Sequence, residues 1–354
     1  MSRFFSEKFS NIKPYVPGEQ PRDRRYVKLN TNESPFPPSA KAQANAAEAA
    51  QRLQLYSDPE CIAIREKLAQ QYGLSREQVF VGNGSDEALY LAFTCFCDSQ
   101  TPAAFPDISY GFYKVFAEFL GIPYEQIPLD ADFAINVEDY IRIGKTIFIA
   151  NPNAPTGKLL TCRQIEQILR GNPNNVVVID EAYIDFGGES AVKLINSYEN
   201  LLVTQTFSKS RSLAGGRLGM AFGNPALIAD LRTAKYSINP YNVNSMTMAA
   251  GLGALADEEY TRENCGKIME NRSFTTKALA DMGFQVLESK ANFVLAGHPD
   301  VSGGDLYAAL KEKGILVRYF DKDRLRPYVR ITIGTKQEME TLLSAVALIL
   351  EERK

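Results

Sequence analysis

Three short segments of the chain consist almost entirely of branched or aromatic apolar residues: 146–150 (TIFIA), 176–179 (VVVI) and 201–203 (LLV). A strand with one face in water alternates apolar and polar residues. A continuously apolar strand is instead buried on both faces, as in parallel sheets covered by helices. Because amphipathic helical patterns surround these segments, the sequence predicts an α/β fold with a mainly parallel central sheet flanked by helices.

The remaining elements divide the chain into three predicted parts. Residues 1–40 contain six prolines and little periodicity, so we expect an arm that lies across the small domain and a partner subunit. Residues 41–240 form the predicted large domain, and residues 241–354 form a smaller α+β domain that begins with a long helical stretch over roughly 245–282. Further strands are predicted at 79–81, 103–105, 218–222, 284–287, 293–295, 315–317 and 328–333, and further helices at 40–55, 59–72, 85–97, 110–120, 303–313 and 335–352.

Composition excludes several classes of protein and site. The net charge of −3 gives no general reason to expect nucleic acid or an anionic membrane as partner. The five cysteines are scattered, without a C-x-x-C pair, which favours reduced thiols in a cytoplasm over disulfides or zinc. No segment resembles a signal peptide or membrane span. Because His298 is the only histidine, a Ser-His or His-metal centre is nearly excluded, and no metal is expected.

Polar residues follow four of the predicted strands directly. These clusters are Gly82-Asn83-Gly84-Ser85-Asp86, the segment 151–157 (NPNAPTG), the segment 180–183 (DEAY) and the segment 206–209 (TFSK). In parallel strands the carboxyl ends meet at one edge of the sheet, where ligands bind in open α/β folds. The four clusters are therefore predicted to form one site.

Each member of this set also has an ordinary structural explanation. Considered alone, Lys209 could be an exposed lysine in a Ser-rich loop. The Gly84-Ser85 turn could be the start of an ordinary capped helix, and Asp180 could be a helix cap. Together they supply an anion site at a helix N-terminus, a carboxylate for a cationic nitrogen and an amine that can attack a carbonyl. This combination suits a phosphorylated aldehyde cofactor with a basic ring nitrogen, pyridoxal 5′-phosphate. A dinucleotide site is disfavoured because Gly82-x-Gly84 lacks the third glycine of its fingerprint.

Over nearly its whole length the chain resembles the fold type I, class I/II pyridoxal-phosphate aminotransferases. The segments 206–209 and 214–219 (AGGRLG) are similar to that family's lysine segment, and 180–183 is similar to its Asp-x-x-Tyr pair. Within the superfamily the resemblance is greatest to the histidinol-phosphate aminotransferases. It extends to 13–18 (KPYVPG), 28–35 (KLNTNESP), 56–59 (YSDP), 82–87 (GNGSDE), 317–318 (VR) and 330–334 (RITIG).

The resemblance implies a role for each matching position. Lys209 would bind the cofactor covalently and act as the base, Asp180 would keep the pyridine nitrogen protonated, and Tyr183 would hydrogen-bond the ring hydroxyl. The other implied cofactor ligands are Gly84, Ser85, Asp86, Tyr110, Asn153, Thr206, Ser208, Arg217 and, from the second subunit of a homodimer, Tyr56. The implied substrate ligands are Tyr15, Asn32, Arg318 and Arg330.

Two positions depart from the family pattern. Ala154 occupies the place of an asparagine that usually contacts the ring hydroxyl, so we assign that contact to the neighbouring Asn153. Ser109 occupies the place of a proline that often precedes the stacking aromatic residue, Tyr110.

The expected reaction is amino transfer between L-histidinol phosphate and 2-oxoglutarate, a step in histidine biosynthesis. Two other enzyme activities remain open: amino transfer from aromatic amino acids, and decarboxylation of threonine phosphate, which also involves a phosphate ester. A regulator that binds the cofactor without turnover is disfavoured, because no separate DNA-binding module precedes the sheet domain.

Overall fold

The computed structural model describes residues 2–9 and 12–353. The helices are α1 (Ala40–Ala50), α2 (Ile62–Tyr72), α3 (Ser85–Phe96), α4 (Phe112–Leu120), α5 (Cys162–Gly171), α6 (Pro225–Ile238), α7 (Ser245–Leu255), α8 (Glu258–Asp281), α9 (Gly303–Glu312) and α10 (Lys336–Glu351). The strands are β1 (Val27–Lys28), β2 (Val79–Gly82), β3 (Ala103–Pro106), β4 (Tyr124–Ile127), β5 (Thr146–Ala150), β6 (Val177–Asp180), β7 (Leu201–Thr206), β8 (Gly219–Gly223), β9 (Gln285–Val286), β10 (Phe293–Gly297), β11 (Ile315–Leu316), β12 (Arg318–Tyr319) and β13 (Tyr328–Thr332).

The large sheet confirms the predicted α/β class. Its seven strands lie in the order β2-β8-β7-β6-β5-β3-β4, and all are parallel except β8. The carboxyl ends of β2, β5, β6 and β7 therefore lie at one edge. Because β8 runs the other way, its first residue, Gly219, lies at the same edge, opposite both Gly82 and Thr206. The antiparallel strand thus brings the residues before it, including Arg217, to the predicted site.

Helices cover both faces of this sheet, as the continuously apolar strands predict. Ile147 and Ile149 of β5 lie in one buried cluster with residues of α1, α2, α5 and α7. Phe148 and Ala150 of the same strand face the opposite cluster with α3, α4 and α6. Burying apolar area on both faces at about 25 cal/mol per Å² is the main stabilising contribution to such a sheet. Polar side chains are consequently concentrated where the strands end.

The stretch predicted to be helical over roughly 245–282 consists of two helices with one break between them. α7 ends before Ala256, and Asp257 has a non-helical backbone (φ −132°, ψ 53°). Aspartate favours helix ends over helix interiors, and Glu258 and Glu259 place negative charge at the positive end of α8. The acidic run 257–259 therefore starts a new helix.

Five helices and strands were not predicted from the sequence: β1, β4, β12, α5 and α6. β4 is a sheet-edge strand whose central residues Glu125 and Gln126 are exposed, so it lacks the apolar pattern of the inner strands. α5 and α6 have clear amphipathic spacing and are capped by Thr161 and Asn224, whose side chains accept backbone hydrogen bonds.

The carboxyl third contains a four-stranded antiparallel sheet in the order β12-β13-β10-β9. The arm contacts this part through β1, which pairs in parallel with β11. α7, which lies beyond the expected boundary at residue 240, packs in the buried cluster of the large sheet. We therefore propose that the large domain extends to about residue 256 and that the small domain begins with α8. Across residues 2–9 and 12–353, the helices are too short or too polar to cross a membrane.

A buried carboxylate lies behind the end of β6. Glu181 is 1% exposed and accepts hydrogen bonds from the Ala191 backbone N–H (2.7 Å), the Gln205 amide (2.9 Å) and the Ser190 hydroxyl. Burial raises the pKa of Glu181 to about 7, although the three donors oppose that shift. These bonds join β6 and β7 directly below the loop that carries Lys209.

Glu181→Gln is expected to flatten the pH dependence of stability. Because its pKa is raised, Glu181 stays protonated in the folded protein up to about pH 7, whereas in the unfolded chain it loses its proton near pH 4.5. The resulting stabilisation is complete below pH 4.5 and is lost as the pH rises through about 7, by on the order of 3 kcal/mol. Thermal unfolding of cofactor-free protein at pH 5 and pH 8 should show a smaller decrease in the variant. Glu199→Gln, at an exposed position, is the control. Parallel pH curves for Glu181→Gln and wild type would show that Glu181 does not titrate in this range.

Candidate active site

A cavity of about 400 Å³ lies at the edge of the large sheet where the strands end. Its lining includes the predicted residues Ser85, Asp86, Tyr110, Asp180, Tyr183, Thr206, Ser208, Lys209 and Arg217. An adjoining cavity of about 390 Å³ extends to the small domain and the arm. Its lining includes Tyr15, Asn32, Arg318 and Arg330, and Lys209 lines both cavities. The tertiary structure therefore brings most of the predicted set together.

Lys209 lies between the sheet and the arm. Its Nζ donates to the backbone carbonyl of Thr31 (3.4 Å) and lies 5.7 Å from the centre of the Tyr183 ring. The loop behind it is fixed by the hydrogen bond of Ser210 to Asp185. A half-buried amine at the junction of the two cavities can reach a ligand in either of them. Thr31 was not predicted, because a backbone contact has no side-chain signal.

Asp180 is the last residue of β6 and is 4% exposed. The Tyr113 hydroxyl donates to its Oδ2 (3.0 Å), and the Thr204 hydroxyl donates to its Oδ1 (3.2 Å). Burial raises the pKa of Asp180 to about 6, and these hydrogen bonds limit the rise. A buried carboxylate of this kind is stabilised by a cationic partner in the cavity. Tyr113 and Thr204 were not predicted, although Tyr113 closes the same SYGFY segment as Tyr110.

An anion cradle lies around the N-terminus of α3. The helix begins at Ser85 after Gly84, whose φ of +79° favours glycine, and its first N–H groups carry the positive end of the helix dipole. Across the cavity, the Thr206 hydroxyl donates to the Ser208 hydroxyl (2.9 Å), so both are held close to one point. With Arg217 these groups suit a phosphate.

Asp86 connects two other members of the site. It accepts a hydrogen bond from the Tyr110 hydroxyl (2.6 Å) and from the Arg217 guanidinium (3.0 Å). Asp86 therefore orients Tyr110 and Arg217 rather than presenting its own negative charge to an anion. Burial raises the pKa of the Tyr110 hydroxyl well above its ordinary value, which keeps it protonated as a donor.

Asn153 was expected to be a ligand, but it lines neither cavity and its side-chain amide is hydrogen-bonded within its own loop. Its amide accepts from the Ser109 hydroxyl (2.7 Å) and donates to the Ile108 carbonyl (2.9 Å) and the Thr156 hydroxyl (3.0 Å). These bonds fix the loop after β5 and leave no free donor for a ligand. Ala154 lines both cavities instead, so this position contributes space and no hydrogen bond.

Asn32 of the arm reaches Tyr183 directly. Its Nδ2 donates to the Tyr183 hydroxyl (3.0 Å), and its backbone N–H donates to the Thr332 hydroxyl (2.9 Å). Asn32 also adopts φ +54°, an uncommon conformation that asparagine tolerates better than most residues. The arm, β13 and the Tyr183 loop therefore meet at one hydrogen-bonded point above Lys209.

Two arginines stand opposite each other across strands β12 and β13. Arg318 and Arg330 are directly paired, an arrangement that is destabilising for like charges unless an anion lies between them. Arg318 donates to the backbone carbonyls of Val16 (2.9 Å) and Pro17 (3.1 Å) in the arm. Arg330 donates to the Asn30 carbonyl (3.0 Å), but its buried Nε–H has no hydrogen-bond partner within residues 2–9 and 12–353. Burial lowers the pKa of Arg330, and the charge of Arg318 lowers it further.

Two aromatic residues from the predicted set lie in different places. Tyr15 lines the outer cavity and stacks on Phe112, with ring centres 4.2 Å apart. Tyr56 is 83% exposed, stacks on Tyr241 and does not line either cavity. Its expected role at a neighbouring subunit's site stays a prediction.

Comparisons with known proteins agree with this arrangement. The sequence profile described as "Aminotransferase class I and II" matches residues 24–346. A histidinol-phosphate aminotransferase of Brachyspira hyodysenteriae is 46% identical over 99% of this chain and 100% of its own length. One of a Marinomonas species is 49% identical over 98% of this chain and 99% of its own length. The chain belongs to the class I and II aminotransferase family, in the group of the histidinol-phosphate aminotransferases.

The fold of this aminotransferase is also that of a solved structure. The histidinol-phosphate aminotransferase of Sinorhizobium meliloti, determined in complex with pyridoxal 5′-phosphate, superimposes with a TM-score of 0.90. It covers 100% of this chain and 99% of its own, at 22% identity. At that identity the comparison supports the fold alone.

Gly219→Ala should weaken the anion cradle of this aminotransferase. A Cβ at residue 219 would lie 2.2 Å from the backbone of both Gly84 and Ser85, so the turn at the start of α3 would have to move. We expect the affinity for pyridoxal 5′-phosphate, measured by equilibrium dialysis, to fall by at least about tenfold, the loss of one good charged hydrogen bond. Gly266→Ala on α8, where a Cβ would have no neighbour within 4 Å, is the control. Unchanged affinity in Gly219→Ala would show that the cradle does not need this close approach.

Proposed function

We propose that the chain catalyses pyridoxal-phosphate-dependent amino transfer between L-histidinol phosphate and 2-oxoglutarate, giving imidazole acetol phosphate and L-glutamate. The observation that carries the proposal is the opposed pair of arginines, Arg318 and Arg330, in a cavity continuous with Lys209. Both amino donors carry an anion next to the amine-bearing carbon: histidinol phosphate has a phosphate ester where glutamate has its α-carboxylate. The unpartnered Nε–H of Arg330 supports binding of such an anion.

The residues of the inner cavity fit pyridoxal phosphate. Ser85, Thr206, Ser208 and Arg217 would hold its phosphate, and Asp180 would pair with its ring nitrogen, which accounts for a carboxylate buried without a cation. Tyr110 would stack on the ring, and Tyr183, held by Asn32, would donate to the ring hydroxyl. When bound, the cofactor supplies a ring that withdraws electrons from the substrate's α-carbon.

The protein's own part is to bind, orient and move a proton. Lys209 would hold the cofactor covalently and, once a substrate amine has replaced it, would remove the substrate's α-proton and deliver it to the cofactor. The Thr31 carbonyl, which accepts from Nζ at 3.4 Å, orients the lysine for this transfer. Asp180, as an ionised carboxylate, would keep the ring nitrogen protonated, so that the ring can accept electrons from the α-carbon.

The sequence relatives favour this substrate over the two alternatives. The full-length relatives at 46% and 49% identity are named histidinol-phosphate aminotransferases. An aromatic aminotransferase would bind a carboxylate in the outer cavity, where one arginine would suffice. A threonine-phosphate decarboxylase would need no 2-oxo acid and would release carbon dioxide. The reaction itself separates the three activities.

The deciding experiment compares amino donors with 2-oxoglutarate as acceptor. We expect kcat/KM for histidinol phosphate to exceed that for phenylalanine or tyrosine by at least about a hundredfold, because a dianion gains more from two arginines than a carboxylate does. A preference for phenylalanine would favour the aromatic aminotransferase. Carbon dioxide release without a 2-oxo acid would favour the decarboxylase.

Arg330→Ala provides the internal control for the assay. Both donors present their anion to Arg330, so its loss should weaken transition-state binding in both half-reactions by about 2–4 kcal/mol. Single-turnover absorbance follows each half-reaction separately. Arg353→Ala, an exposed arginine at the end of the chain, should leave both unchanged.

We further propose that the active unit is a homodimer in the cytoplasm. The surface around Tyr56 exposes several large apolar side chains, an arrangement that marks interfaces between proteins. They are Leu53, Leu55, Ile62, Tyr236, Ile238 and Tyr241. Because Tyr56 lines neither the inner nor the outer cavity of its own chain, we assign it to the phosphate of the neighbouring site. We also assign the arm to packing against the partner as well as the small domain. The five free thiols support a reducing compartment.

Mixing two inactive variants tests the shared site. Tyr56→Ala would lack a phosphate ligand and Lys209→Ala would lack the base. A mixed dimer would contain one site with both defects and one intact site. We expect co-refolded mixtures to recover up to about a quarter of wild-type activity, half of the molecules being mixed and each having one active site. Lys209→Ala mixed with Asp180→Asn should show no recovery, because both residues serve the same chain's site and each mixed dimer would have one defect in each site. A fully active monomer in sedimentation would exclude the shared site.

A further inference from the structure

Apart from Lys209, which we assign to the cofactor, the outer cavity has three cations, and Lys322 is the third. It lines that cavity together with Arg318 and Arg330, and no aspartate or glutamate is among the lining residues. It belongs to the loop between β12 and β13 and was not among the site residues predicted from the sequence.

The two acidic neighbours of Lys322 do not neutralise it. Asp321 accepts a hydrogen bond from Nε of Arg326 (2.8 Å), and Asp323 forms an ion pair with Nη1 of the same guanidinium (3.0 Å). Arg326 thus binds both carboxylates that flank Lys322. Within residues 2–9 and 12–353 the Lys322 ammonium has no carboxylate within 4.0 Å, although it lies between two acidic residues in sequence.

The loop that carries Lys322 is anchored on both sides of the cavity. The Lys322 carbonyl accepts from the backbone N–H groups of Leu325 (2.8 Å) and Arg326 (2.9 Å), and Leu325 is buried. Arg324 donates to the Leu129 carbonyl (2.8 Å) of the large domain and lies over the Phe133 ring. These contacts fix the base of the Lys322 side chain at the edge of the cavity.

The three cations differ in the donors that they have left for a ligand. Both Nη groups of Arg318 already donate to arm carbonyls, whereas Arg330 keeps a free Nε–H and the Lys322 ammonium keeps its donors. Glutamate presents a carboxylate with one negative charge. A phosphate monoester carries nearly two negative charges at pH 7, on three oxygens. Arg330 therefore suffices for the carboxylate, and a second free cation serves the phosphate.

We propose that Lys322 is a specificity-determining residue that binds the phosphate ester of the amino donor and is dispensable for glutamate. This inference rests on the proposed function, because it assigns a separate ligand to the phosphate of the same substrate. Lys322 contacts the phosphate directly and balances its second negative charge. Arg330 contacts the phosphate of histidinol phosphate or the carboxylate of glutamate.

Two ligands that lack an amine test the inference without turnover. Imidazolylethyl phosphate and imidazolylpropionate share a ring and a two-carbon spacer and differ in their anion. Isothermal calorimetry on the holoenzyme should show that Lys322→Ala weakens binding of the phosphate about tenfold, the value of one charge contact, and of the propionate less than about threefold. Lys322→Arg should restore most of the difference. Lys67→Ala is the control for the lost charge, because Lys67 is an exposed lysine of α2 that forms no ion pair within the part of the chain that the structure describes.

Kinetics add a second readout. In Lys322→Ala, KM for histidinol phosphate should rise about tenfold with kcat nearly unchanged, and the glutamate half-reaction should keep its wild-type rate. Equal weakening of the two calorimetric ligands, or no weakening of either, would overturn the role of Lys322. Absence of histidinol-phosphate turnover by the wild type would instead overturn the proposed function, and the calorimetric comparison would still decide whether Lys322 distinguishes phosphate from carboxylate.

Discussion

The burial of the central strands on both faces is the constraint on which the site depends. Between β5 and β7 the sheet has no solvent-facing side, so polar groups are concentrated where the strands end. Parallel pairing places those ends at one edge, and the single antiparallel strand, β8, returns the chain to it. Lys209, Asp180 and Arg217 are neighbours in space because of this pairing, although they are spread along the sequence.

The same edge carries an energetic cost that a ligand can offset. Asp180 is a buried carboxylate whose neighbours are hydroxyl donors, and Arg318 and Arg330 are like charges paired directly across two strands. Each feature is unfavourable in an isolated domain and favourable beside a group of opposite charge. The inner cavity therefore suits a cationic ring nitrogen beside a phosphate, and the outer cavity suits an anion.

The arm links these two regions. Asn32 contacts Tyr183, the Thr31 carbonyl contacts Lys209, and the Val16 and Pro17 carbonyls contact Arg318. Because β1 pairs with β11, the arm is fixed to the small-domain side while it covers the base of the large-domain site. Any movement of the small domain relative to the sheet would therefore move the groups that orient Lys209.

The amino-acid sequence determined the fold class, the inner strands and most of the site, because an apolar run followed by a polar cluster has one physical meaning in a parallel sheet. It did not determine how side chains share their hydrogen bonds. Asn153 matched a ligand in residue type and lies one residue before the expected position, yet its amide is used by its own loop, and the tertiary structure alone shows this. The break before Asp257 and the packing of α7 on the large sheet also depend on contacts between distant segments. The sequence did not indicate a role for Lys322, because Lys322 lies between two acidic residues that could neutralise it. The structure shows that Arg326 binds both of these carboxylates. Local pattern decides which elements form, and tertiary contacts decide which polar groups remain free for a ligand.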